Sequence, residues 1–227
     1  MTQTREERKA RQAAARSWLL QEGGPCRIKL CGMCRTEDVA AANDLLPDMV
    51  GFITDVPKSH RNLSSGDMGR LAADVDERIH TVSVTVDLPF GRVGFNAERY
   101  VDFVQLHGHE DDTYVMGLRT RTDAGIIQAF RIRSAEDVER ALHSPADMVL
   151  LDAGQGSGQT FDWSLVDGFG RRRPFILAGG LGPNNVAQAV RELHPWGVDM
   201  SSGIETNRRK DPAEMRDAVA AVRACGG

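Results

Sequence analysis

A thiol and a carboxyl group, far apart in the chain, stand in similar local settings. Cys31 ends the run Arg27-Ile28-Lys29-Leu30-Cys31 and Asp152 ends Met148-Val149-Leu150-Leu151-Asp152, with glycine close behind each. A carboxyl beside such an apolar run is partly desolvated, which raises its pKa and lets it carry a proton as a general acid. A thiol needs the opposite tuning, because it acts as a base only once ionised. A helix start at Thr36-Glu37-Asp38 would favour the thiolate. Each residue also has an ordinary reading, the aspartate as a turn residue and the cysteine as an inert buried one. Together they suit proton transfer. Cys31-Gly32-Met33-Cys34 is formally C-x-x-C, but Cys26 and Cys225 are isolated, so no second cysteine pair completes a zinc site, and thioredoxin-like motifs belong to a smaller fold.

Other candidates surround this pair. Gly179-Gly180 and Ser202-Gly203 are expected to let backbone N–H groups approach an anion, as a phosphate cradle would. Arg61, in the polar loop Thr54–Ser64, is placed to fork onto a carboxylate. Lys58 and His60 read as surface residues, and Arg171-Arg172-Arg173 and Arg208-Arg209-Lys210 as solvated turns. His107 and Asp199 receive no role.

The elements that would position these residues alternate between short apolar strands and helices. Strands are expected at 27–31, 49–53, 81–86, 103–108, 126–130, 148–152, 175–178 and 198–200. Nearly continuous apolar runs mean a sheet buried on both faces. Eight such units give a (β/α)8 TIM barrel, in which chemistry gathers at the carboxyl ends of the strands. An open doubly wound sheet usually has fewer strands and a dinucleotide fingerprint that is absent here. Helices are expected at 37–46, 64–78, 110–119, 134–142, 183–193 and 212–224. Pro89, Gly91 and Gly94 predict a short or irregular element before about Asn96–Val101. Residues 1–24 form a separate helical extension, Thr4 to Gln21, stopped by Gly23-Gly24-Pro25 and anchored by Trp18, Leu19 and Leu20. An organelle transit peptide would avoid the acidic residues it carries. Residues 25–227 then form one barrel domain.

The 227 residues, 41% hydrophobic and 26% charged with net charge −4, describe a soluble globular α/β chain without a basic field for nucleic acid or membrane. No run reaches the roughly 18 apolar residues a membrane span needs. Four irregularly spaced cysteines and no secretory leader point to the cytoplasm.

Lys29-Leu30-Cys31-Gly32, Pro57-Lys58-Ser59-His60-Arg61, Val104-Gln105-Leu106-His107-Gly108, Leu150-Leu151-Asp152 with Gly156–Trp163, Ala178-Gly179-Gly180-Leu181 and Val198–Glu205 resemble, in order, phosphoribosylanthranilate isomerase of tryptophan biosynthesis. The resemblance implies an Amadori rearrangement of N-(5-phosphoribosyl)anthranilate to the carboxyphenylamino-deoxyribulose phosphate. By the same resemblance Asp152 is the general acid on the furanose oxygen and Cys31 the base at ribose C2. Arg61 contacts the anthranilate carboxylate, and Gly179, Gly180, Ser202 and Gly203 hold the phosphate. It implies no metal and no organic cofactor. The implied partner is a small phosphorylated substrate, met by a monomer or homodimer. Cys34 stands where the family more often has threonine, and Thr85–Pro89 departs from its usual third-strand ending. The related histidine-pathway isomerase has an aspartate at the place of Cys31, which argues against that substrate. A non-catalytic sugar-phosphate-binding barrel would not need both Cys31 and Asp152. Cys34→Ser should keep most isomerase activity while Cys31→Ser loses it; equal losses in a steady-state assay would revive a dithiol role.

Overall fold

Eight parallel strands close into a ring in sequence order, β1 pairing with both β2 and β8. The structure is a computed structural model that describes residues 4–152 and 163–226. The strands are β1 (Arg27–Cys31), β2 (Met49–Ile53), β3 (His80–Thr85), β4 (Phe103–Leu106), β5 (Gly125–Arg131), β6 (Met148–Asp152), β7 (Phe175–Ala178) and β8 (Gly197–Met200). Helices α2 (Thr36–Leu45), α3 (Ser65–Ala73), α4 (Phe90–Tyr100), α5 (Asp112–Arg119), α6 (Ala135–His143), α7 (Val186–Leu193) and α8 (Pro212–Arg223) follow in turn. Short 3-10 turns, Trp163–Val166 and Phe169–Arg171, precede β7, and a small ribbon of β9 (Glu205–Thr206) and β10 (Arg209–Lys210) follows β8. This is the expected (β/α)8 barrel.

Alternation along each strand sorts the core into two layers. Ile28, Leu30, Val50, Val104, Val149, Leu151 and Val198 face the helices. Cys31, Met49, Val82, Phe103, Ile127, Leu150 and Ile176 fill the interior.

The extension is the helix α1 (Arg5–Leu19), capped by the Thr4 side chain with Glu7 as reciprocal partner. It closes the amino-terminal end of the barrel. Ala15 and the fully buried Leu19 join the interior cluster, and Trp18 packs on His80, Phe103 and Trp196. Leu20, expected as a third anchor, is instead 54% exposed, because it lies past the last turn of the helix. Polar contacts fix the seat: Arg11 forks onto buried Asp102 at 2.7 and 2.9 Å, and Gln12 donates to the Ala97 and Val101 carbonyls. Burial alone would push the Asp102 carboxyl up, but His80 and Arg11 hold it well below the usual carboxylate range.

Two helices differ from expectation. α4 is a regular helix, not an irregular piece. Pro89 sits at its N-cap, where a missing N–H costs nothing, and accepts from the Arg92 and Val93 amides. Gly94 gives the close approach to Arg121, whose Cβ would lie 3.2 Å from an added one. α3 stops at Ala73 rather than Arg78. Asn43 captures the next turn, donating to the Asp74 carbonyl and accepting from the Asp76 amide. Leu19→Ala should cost about 3 kcal/mol in urea unfolding, as a cavity at a fully buried site does, while leaving the arrangement at the opposite, carboxyl-terminal end of the barrel unchanged.

Candidate active site

Cys31 is the last residue of β1, on the inner face and 5% exposed. The chain turns at once: the Gly32 and Met33 amides both donate to the Gly51 carbonyl, at 2.8 and 3.0 Å. Gly32 has φ +83°, and a Cβ there would sit 2.5 Å from Arg61 Cδ, so the bend that delivers the thiol needs glycine. The expected tuning of the thiol is not what the structure shows. Burial pushes the Cys31 thiol up, the Asp199 charge adds to this, and Lys29 and Lys210 pull against it with the net direction upward. Just ahead of α2, the Asp38 carboxylate accepts the Cys34 and Arg35 amides.

Asp152 ends β6 and shares the inner face with Met148 and Leu150. Its Oδ2 lies 3.4 Å from His107 Nε2, and His107 Nδ1 lies 3.0 Å from the Gln105 amide nitrogen. With Gln105 donating, the ring carries its proton on Nε2, facing the carboxyl group. His107, unassigned from sequence, thus stands beside the expected acid. The glycine loop at 154–158 lies outside the described residues.

Around the ring the order is Arg61 after β2, Cys31 on β1, Ser202-Gly203 after β8, Gly179-Gly180 after β7, then Asp152 on β6. Gly179 and Gly180 adopt φ +105° and +67°. The two glycine loops meet backbone to backbone: a Cβ on Gly203 would lie 2.1 Å from the Leu181 carbonyl oxygen. They form one floor between the thiol and the carboxyl group. Two strands, β7 and β8, separate β6 from β1, so the two groups face one mouth from different sides.

Arg61 does fork onto a carboxylate, but an internal one. Its Nε and one terminal nitrogen meet Glu205 at 2.5 and 2.6 Å. Lys210 Nζ joins the same carboxylate at 2.8 Å and the Ser201 carbonyl at 2.9 Å. Lys210 is 5% exposed, which corrects its reading as a solvated turn residue. Arg173 is likewise no solvated residue, for it donates to the Ala141, Leu142, Ser144 and Ala146 carbonyls. Burial pushes the Glu205 carboxyl up, yet Arg61 and Lys210 outweigh it and hold it at about 2. Lys29 was also missed; its signal was a lysine amid apolar strand residues, with Asp199 in the matching place on the neighbouring strand.

Proteins of known kind share this fold. The profile of the family described as N-(5'-phosphoribosyl)anthranilate (PRA) isomerase matches residues 28–221. The chain belongs to that isomerase family. The N-(5'-phosphoribosyl)anthranilate isomerase of Endomicrobium trichonymphae is 36% identical over 203 residues, covering 87% of this chain and 98% of that protein. A phosphoribosyl anthranilate isomerase in complex with reduced 1-(o-carboxyphenylamino)-1-deoxyribulose 5-phosphate superposes with TM-score 0.77 at 30% identity, over 88% of this chain and 99% of that one. The same values hold for monomers of the dimeric phosphoribosylanthranilate isomerase from Thermotoga maritima. The family match begins one residue after Arg27, so α1 lies outside it.

The Glu205 cluster should be acid-sensitive. A carboxylate held below its unfolded value stabilises the fold above about pH 4 and loses that contribution as pH falls toward 2. Glu205→Gln should therefore lose about 3 kcal/mol at neutral pH and flatten the acid limb of a stability profile measured by denaturant unfolding.

Proposed function

We propose that this isomerase rearranges N-(5'-phosphoribosyl)anthranilate to 1-(2-carboxyphenylamino)-1-deoxyribulose 5-phosphate, with Asp152 as general acid and Cys31 as general base. The observation that carries the assignment is the order around the mouth, where the two glycine loops lie between the base on β1 and the acid on β6. A sugar anchored there by its phosphate presents its reacting carbons to both groups.

The steps follow from that placement. The Asp152 carboxyl gives its proton to the furanose oxygen as the C1–O bond breaks, and the anilino nitrogen's lone pair forms the iminium. The Cys31 thiolate then takes the proton from C2, leaving an enolamine that tautomerises to the ketone. Each positioned proton transfer is worth roughly 10²–10⁴-fold in rate. His107, a third exposed (34%) and in contact with Asp152, links the spent carboxylate to solvent so that its proton is restored. Arg61 keeps one terminal nitrogen outside its bonds to Glu205, and that edge takes the anthranilate carboxylate. Gly179, Gly180, Ser202 and Gly203 supply the phosphate contacts, and no cofactor is assigned to any step.

A raised thiol pKa lowers the thiolate population but gives a stronger base when ionised. We place the enzyme in the cytoplasm as a monomer or homodimer, with residues 1–24 an extension outside the catalytic unit; no helix among the described residues is long and apolar enough to cross a membrane.

The parent gene should rescue a tryptophan auxotroph lacking this isomerase, while Cys31→Ala and Asp152→Asn should not. Rescue by either variant at the parent's growth rate would remove the mechanism, and failure of soluble, folded parent protein would point to another phosphorylated substrate. Because the thiolate is the active form, kcat/KM of the parent should still climb between about pH 7 and 9.

A further inference from the structure

Lys29 takes no part in the steps above, yet it is completely buried inside the barrel two residues before Cys31. A buried ammonium costs several kcal/mol unless it is paired. Asp199, its register partner on β8 and itself 7% exposed, accepts from Nζ at 2.9 Å. The pairing explains how the charge is tolerated, but not why it is there. Its apolar neighbours in this interior include Met49, Val82, Ile127, Leu150 and Ile176, and replacing a buried ion pair by well-packed apolar residues often costs no stability.

Position supplies the reason. Lys29 and Cys31 share the inner face of β1. A Cβ built on Gly51 would lie 2.9 Å from the Cys31 sulfur and 3.1 Å from Lys29 Nζ, so thiol and ammonium occupy the same small space over a glycine.

We propose that Lys29, held in place by Asp199, is the positioning residue for the base, its ammonium stabilising the Cys31 thiolate at the moment the substrate needs it. Gly51 keeps open the space in which the two meet. This rests on the reading of Cys31 as the base. Lys29 stays protonated throughout and forms no bond; the only proton that moves in the free enzyme is the one the thiol releases to solvent.

The charges facing Cys31 agree with this assignment. Asp199 on β8 disfavours the thiolate, while Lys29 on β1 and Lys210 on β10 favour it, and Arg61, from the loop after β2, also senses the sulfur's charge. Arg61 and Lys210 are both bound to Glu205, whereas the Cys31 sulfur and Lys29 Nζ and Cε are the three atoms nearest a Cβ placed on Gly51. Burial pushes the Lys29 amine down, but Asp199 and Cys31 more than restore it, so it remains an ammonium.

The test reads the thiol directly. Alkylation of Cys31 by iodoacetamide, resolved by peptide mass spectrometry across pH, gives its ionisation midpoint without reference to turnover. In Lys29→Met the midpoint should move up by about one unit, making alkylation and kcat/KM at fixed pH ~10-fold slower. Should that variant fail to fold, the step from Asp199→Asn to Lys29→Met/Asp199→Asn isolates the ammonium in a neutral background, and the same upward shift is expected. An unchanged midpoint in either comparison, even with activity lost, would make Lys29 a structural residue and overturn the proposal. A shifted midpoint alongside a fully active Cys31→Ser enzyme would instead retain the Lys29–Cys31 coupling and overturn Cys31 as the base.

Discussion

The closure of the ring between β1 and β8 is the constraint on which the rest depends. Paired on both edges, β1 has no freedom to slip, because a one-residue shift would turn every side chain to the other layer. Registration fixes Lys29 opposite Asp199 and so fixes Cys31, two residues on, at the inner rim. The same alternation on β6 brings Asp152 to that rim. Two residues 121 positions apart in sequence become neighbours of one space because backbone hydrogen bonding leaves them no other face.

What the rim does chemically follows from how its charges are compensated. Glu205 gathers Arg61 and Lys210, and Asp199 gathers Lys29. Each cation is thereby held in a place where an isolated one would be expelled or would lose its proton. These pairings keep positive groups close to a desolvated thiol without a large net charge inside the barrel. They also hold Arg61 in one orientation through its fork onto Glu205, so that in the proposed reading a substrate carboxylate has only to meet the remaining edge. Such preorganisation reduces the ordering that binding would otherwise require.

The strand pattern made the barrel legible, because eight apolar runs of similar length have few other homes, and it placed Cys31, Asp152 and the glycine loops with it. Helix ends were less legible. Pro89 and Gly94 read locally as breakers, yet one falls at an N-cap and the other at a close helix approach, facts that only the tertiary packing contains. Lys210 sits in a basic run that looks solvated, and only the β9–β10 ribbon turns it inward onto Glu205. Pairs such as Arg61–Glu205, 144 residues apart, leave no local trace, since no propensity or period connects them.

The two ends of the barrel divide the work. At the amino-terminal end, α1 inserts Leu19 and Ala15 into the interior and locks Arg11 to Asp102, contacts that stabilise the fold and touch no reacting group. Toward the carboxyl end a buried thiol and a buried lysine accept a desolvation that costs stability and suits the chemistry we propose. A rim loaded with costly buried charge leaves less margin for folding, and a helix that closes the opposite end adds apolar burial where it cannot disturb the chemistry. In this chain that closure comes from a segment the family match does not include, so it stabilises the barrel from outside the part of the chain that defines the family.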